Sequence, residues 1–212
     1  MNFFGYGRPD GRVGIRNKVL ILPTCACSQE TCRIVSEQVE GTCYVGNTAG
    51  CSEVEENLKI CTEMYSGFAA NPNIYGTVMI GLGCEGCTPE SMKEAILKKT
   101  NKPLEVFVIQ EEGGTVNTIN KAVKAARKMV QDASLVQKKE FPLSELFLGV
   151  ECGGSDATSG LAANPVVGNV SDRLVDAGGS AVMSETTEFI GAEHILAKRA
   201  ATPEIKKQII GI

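Results

Sequence analysis

The sequence has no tryptophan and a single histidine, His194. A metal centre built mainly from imidazole is thereby excluded. Any metal would rest on thiolates and carboxylates, or on ligands from another chain. No apolar run approaches the roughly 20 residues of a membrane-spanning helix. The opening residues, MNFFGYGRPDGRVGIRN, lack an apolar core followed by a small-residue cleavage site, so they do not read as a secretory signal. There is no basic excess either. Net charge is −4 and the lysines and arginines are scattered, which leaves no footprint for nucleic acid or a membrane surface. These absences point to a cytoplasmic protein.

Cysteine, by contrast, is plentiful, with nine in 212 residues. In a cytosolic chain that abundance points first to metal binding or catalysis. The length suits one large or two small domains. Short β-branched runs recur at 18–23 (KVLILP), 42–45, 76–80 (GTVMI), 104–109 (LEVFVI), 146–150 and 180–183. Helical periods lie between them: 28–39, a stretch ending near 68, 88–99, a face formed by Val116, Ile119, Val123, Ala126 and Val130, and 171–177. Ser52 and Glu55 have capping-box spacing, and Thr88-Pro89 reads as cap and first helical residue. Strand and helix in alternation predict an α/β fold with mostly parallel sheets and helices on both faces, the first domain Rossmann-like. The polar stretch 131–140 (QDASLVQKKE) is the candidate linker.

Ligands in such folds bind beyond the carboxyl ends of the strands, and the unusual residues fall there. GLGCEG (81–86) has the spacing of a dinucleotide fingerprint, but it follows the third run rather than the first. Glu85 would also set a negative charge where a pyrophosphate belongs. Cys51, Cys84 and Cys152 each neighbour a glycine in a strand-to-helix loop. Three such thiols could hold an iron–sulfur cluster or contribute to a mononuclear iron site. Cys84 and Cys87 are spaced C-x-x-C, and Cys25 and Cys27 C-x-C. RPDGRVGIRN (8–17) carries three arginines among turn residues. Arg8 and Arg12 suit a solvated turn, whereas Arg16 and Asn17 abut the first long run and could grip a substrate carboxylate. Glu185, Glu188 and Glu193 could include an acid/base pair, and His194 falls inside a helical stretch.

RPDGRVGIRN, GLGCE, ECGGSDATSGLAANPVVG and SETTEFIGAE, in this order, resemble the altronate dehydratase/galactarate dehydratase family, which includes the large subunit of sulfolactate sulfo-lyase. The resemblance implies β-elimination from an acidic polyol: water from altronate or galactarate, or sulfite from sulfolactate. It implies an iron requirement, as mononuclear Fe²⁺ or a cluster, with Cys84, Glu85, Cys152 and then Cys51 as metal-ligand candidates. Glu151, Asp156 and Glu185 become the acid/base candidates. Arg16, Asn17, Ser155 and Asn164 become the substrate-binding candidates. It also implies a Rossmann-like domain over 1–136, the start of the catalytic C-terminal domain over 137–212, a homo-oligomer, and a separate SAF-domain subunit as a possible partner. On this reading the chain is the front portion of a large subunit. Its apolar tail, Ile205, Ile209, Ile210 and Ile212, would need cover from elsewhere. The competing expectation is a non-catalytic half-enzyme module.

Overall fold

The computed structural model describes residues 1–211 and is mixed α/β throughout. It divides into two compact units, Asn2–Phe141 and Met1 with the residues from Pro142 onward. The first opens with β1 (Asn2–Gly7), paired antiparallel with the short β2 (Val13–Gly14). It continues through β3 (Lys18–Pro23), α1 (Ala26–Gln38), β4 (Thr42–Tyr44), α2 (Glu55–Ala70), β5 (Ile74–Gly81), α3 (Pro89–Lys99), β6 (Leu104–Val108) and α4 (Thr115–Ser134). β7 (Lys139–Pro142) closes the small sheet in the order β2-β1-β7.

The main sheet has the order β4-β3-β5-β6, and every pairing is parallel. Its central strands β3 and β5 are buried on both faces, which explains why KVLILP and IYGTVMIG are apolar without alternation. On one face Val19, Ile21, Val78 and Ile80 pack against Cys32 and Val35 of α1 and Ala122, Ala126 and Met129 of α4. On the other, Leu20, Leu22 and Met79 meet Cys61, Tyr65 and Ala69 of α2 and Met92 and Ile96 of α3. Each of these buried aliphatic side chains contributes about 1.5–3 kcal/mol. Cys32 and Cys61 are thus core residues.

Several expectations change. Residues 131–134 complete α4 and 139–142 pair with β1, so only 135–138 of the expected linker lies outside helix and strand. Val116 is 72% exposed, but Val123 and Ala126 are buried, Ile119 and Val130 pack against the same core, and the face also takes in Ala122 and Met129. Ser52 does not cap α2. It sits at φ 57° and α2 starts after Val54 with no side-chain cap. Thr88 does cap α3, accepting from Ser91 N (3.2 Å) with Pro89 in the first turn.

In the second unit β8 (Phe147–Val150) and β9 (Ser180–Met183) pair in parallel. A π-helical turn (Ser159–Ala163) runs into α5 (Asn164–Asp176), followed by α6 (Glu193–Ala197) and α7 (Pro203–Ile210). Helix therefore begins earlier than 171. Pro165 follows the π-helical turn directly, at the start of α5. Among the described residues only Leu174 and Ala197 are buried apolar side chains here, while Leu161, Val166, Val170 and Ile190 are exposed. Ile205 and Ile210 of α7 are also exposed, and Ile212 lies outside the described residues.

Candidate functional site

In the first unit the strand order reverses between β3 and β5, so their carboxyl ends border a crevice of the kind that binds ligands in open α/β sheets. Thr24 and Cys25 follow β3, and the loop GLGCEG follows β5. Glu85 is only 4% exposed and folds back into its own loop. Thr24 Oγ1 donates to Glu85 Oε1 (2.5 Å), Leu82 N to the same oxygen (2.9 Å), and Gly83 N to Oε2 (2.6 Å). Burial alone would raise its carboxyl pKa. The Thr24 hydroxyl and the loop amides outweigh burial and hold it below the usual carboxylate range. A side chain at Gly81 would run into Glu85 Oε1, which accounts for the glycine. The carboxylate thus takes the amides that a phosphate would need, and the loop is not arranged as a dinucleotide site.

Cys84 beside it is exposed, while Cys87 is buried and shares a hydrogen bond with Thr62 Oγ1 (3.3 Å). The loop after β4 touches both neighbours: Ala26 N donates to Ala49 O (2.9 Å) and Cys87 N to Gly50 O (3.2 Å). Cys51 therefore shares the carboxyl edge with Cys84. Cys27, which spacing alone did not single out, lies beside Cys25 and Cys51. The neighbouring Cys25, followed by desolvation and Cys51, raises its pKa. The C-x-C spacing was the available signal, but nothing in the sequence showed that Cys51 would meet it. Among the described residues no three Cys, His, Asp or Glu side chains are placed to hold a metal ion. With Glu85 committed to its loop, the donor set does not fit a preassembled iron centre. The hollow beside Glu85 is about 70 Å³ and is also lined by Glu90 and Glu111, so it is too small and too negative for a sugar acid.

Arg16 and Asn17 lie at the opposite edge, before β3, roughly 23 Å or more of extended chain away from Thr24. The structure does not bring them together with Glu85. Asn17 Oδ1 accepts from Arg8 Nη1 (2.7 Å) and Asn17 Nδ2 donates to Ala133 O (2.6 Å). Arg8 also donates to Pro72 O (2.6 Å) and Arg16 O (2.8 Å) and is 7% exposed, which corrects the solvated-turn reading.

In the second unit the carboxyl ends of β8 and β9 lead to Glu151-Cys152 and Ser184-Glu185. Cys152 N donates to Glu185 Oε2 (2.8 Å), and Cys152 Sγ lies 3.8 Å from Ser155 Oγ. Glu185 holds a left-handed backbone (φ 60°, ψ 62°), a conformation costly for a residue with a Cβ. Asp156 is committed to its own turn. Its Oδ1 accepts from Thr158 Oγ1 (2.6 Å), Thr158 N (2.7 Å) and Ser159 N (3.2 Å), which together depress its pKa. Among the described residues the Glu151 carboxylate and the Asn164 amide make no side-chain hydrogen bond. Cys152, Ser155 and Glu185 are thus assembled at one end of a parallel strand pair, with Glu151 adjacent in sequence.

The family model described as D-galactarate dehydratase/altronate hydrolase, second domain, matches residues 5–134. That described as D-galactarate/altronate dehydratase, C-terminal, matches 143–212. The chain belongs to the galactarate/altronate dehydratase family. It is 36% identical to the (2R)-sulfolactate sulfo-lyase subunit beta of Chromohalobacter salexigens over 97% of this chain and 52% of that protein. It is 34% identical to the altronate dehydratase of Bacillus subtilis over 99% of this chain and 44% of that one. With the galactarate dehydratase (L-threo-forming) of Escherichia coli it shares 38% identity over 66% of this chain and 28% of the relative. The chain therefore spans about half the length, or less, of the curated relatives it matches.

Proposed function

We propose that this dehydratase-family chain carries an elimination site for a sugar acid such as altronate or galactarate, centred on the Glu151–Asp156 turn. The observation behind this reading is the Cys152 N–H donated to the Glu185 carboxylate at the joined ends of β8 and β9. That bond fixes the segment carrying Glu151, the one carboxylate of the three without a hydrogen-bonded partner among the described residues. Glu151 takes the proton from the carbon α to the substrate carboxylate, the β hydroxyl leaves as water with a proton drawn from solvent, and the enol relaxes to a 2-keto-3-deoxy acid by gaining a proton at C3 and losing its hydroxyl proton. Glu185 positions the turn. Asp156 shapes it, and the Gly153 and Gly154 amides with the Ser155 hydroxyl face the anionic substrate. The iron that the resemblance implies stays outside this reading, since the donors found do not fit such a centre. No step is routed through it, because no three donors are assembled.

The same elimination with sulfite leaving is the second reading, favoured by the 36% identity to a sulfo-lyase subunit. Incubation of the chain in D₂O with altronate, galactarate and sulfolactate separates these readings. A 2-keto-3-deoxy acid bearing solvent deuterium at C3 supports dehydration, and sulfite release supports the second reading. No product from any of them favours the non-catalytic module.

A further inference from the structure

Three cysteines of the first unit, Cys25, Cys27 and Cys51, meet at the start of α1, although β4 intervenes in the chain between Cys27 and Cys51. The backbone sets the meeting. Ala26 N donates to Ala49 O (2.9 Å), and a side chain at Gly50 would stand 2.4 Å from Thr24 O and 3.0 Å from Cys25 Cα. The segment around Cys51 is therefore pressed against the segment that carries Cys25 and Cys27. Gly50 (φ 88°) and Ser52 (φ 57°) turn the backbone sharply on either side of Cys51. For Ser52 that conformation carries strain, and α2 draws no side-chain cap from it in return.

Exposure separates the three thiols. Cys25 is fully buried, with its Sγ turned to Ser28 Oγ at 3.9 Å. Cys27 is exposed and Cys51 half-buried, and the two sulfurs are within hydrogen-bonding reach of each other. Cys87 and Cys152 lie beside the hydroxyls of Thr62 and Ser155 instead. Two neighbouring thiols that solvent can reach have a reaction open to them that a single thiol lacks, because the second can trap the first as soon as it is oxidised.

We propose that Cys27 and Cys51 form a redox-modification site that a peroxide closes to a disulfide within the chain. Cys25, then desolvation and Cys51 itself, favour the proton on Cys27, which casts Cys51 as the first sulfur to react and Cys27 as the second. The Cys51 thiolate attacks hydrogen peroxide. An S–O bond forms, the O–O bond breaks, and the hydroxide released takes up a proton as water. Cys27 sulfur then attacks the Cys51 sulfenic sulfur. The S–S bond forms, the S–O bond breaks, and hydroxide leaves with the Cys27 proton as a second water. Two electrons pass from the sulfurs to the peroxide. The bridge pins the loop after β4 to α1, at the sheet edge that also carries Thr24 and Glu85. It lies wholly within the first unit and uses no group of the elimination site.

The test is a peroxide titration of the full chain. Thiols are counted after denaturation, peptides are mapped by mass spectrometry without reduction, and far-UV circular dichroism confirms that each variant is folded. The expected result is the loss of two of the nine thiols, with Cys27 linked to Cys51 in the same chain and both thiols recovered with dithiothreitol. Cys27→Ser and Cys51→Ser should each abolish the link, and Cys84→Ser, which removes another exposed thiol, should leave it in place. No link in the folded parent, a link from Cys51 to Cys25 or Cys84 instead, or oxidation of Cys27 to the sulfinic acid with Cys51 still reduced would overturn the proposal.

Discussion

At the residue scale the buried polar groups decide most. Glu85 satisfies a hydroxyl and two amides at once, and Thr24 is fully buried. Glu85→Ala leaves those donors without an acceptor, so chemical denaturation should show a loss of about 3 kcal/mol. Because its folded pKa is depressed, the stabilisation by Glu85 is present above the unfolded value near 4.3 and is lost as pH falls through the folded one. Denaturation curves from pH 6 to 3 should therefore fall less steeply for Glu85→Gln than for the parent. Lys102 behaves in the opposite sense. Burial, followed by the positive charge of Arg8, lowers it to about 7, with Asp10 opposing and Arg12 adding, while its Nζ donates to Asn71 O and Ile74 O. Between pH 7 and 10 the unfolded chain binds a proton that the folded chain does not, so stability should rise with pH across that window. Lys102→Met should flatten the rise, and parallel slopes for the two proteins would contradict this account. Neither residue was legible as buried in the sequence. Glu85 reads in the sequence as a ligand candidate rather than a buried acceptor of its own loop, and Lys102 gives no sign of its partners until the chain folds them around it.

At the element scale the sequence was more informative. The runs at 18–23, 180–183 and most of 104–109 are strands, but only the first is buried along nearly its whole length in a sheet covered on both faces, whereas 180–183 is exposed throughout. Caps separated less well. Thr88 and Ser52 both carried cap signals, but only Thr88 makes its bond, whereas Ser52 holds a left-handed backbone before α2 begins. Thr88→Ala should lower the denaturation midpoint by the equivalent of about 1 kcal/mol. Ser52→Gly should raise it slightly, by relieving that turn. A larger loss at Ser52 than at Thr88 would restore the capping-box reading. β1 went unrecognised because FFGYG mixes aromatics with glycine. Its strand character comes from pairing with β2 and β7, which are distant in sequence.

At the scale of the whole molecule, family membership was legible in the motifs and the site was only partly so. ECGGSD and SETTEF lie far apart in the chain, yet β8 and β9 bring Cys152 onto Glu185. Asp156, by contrast, serves its own turn, and Arg16 and Asn17 stand at the far edge of their sheet from Glu85. Such commitments depend on side-chain direction, which spacing does not carry. The assignment of Glu151 as base is therefore the central claim. The most direct measurement is the rate of 2-keto-3-deoxy acid formation from altronate by the chain and by its Glu151→Gln variant, with the KM of each. The account predicts a fall in kcat of at least about a hundredfold with little change in KM. A variant that retains the full rate would contradict it.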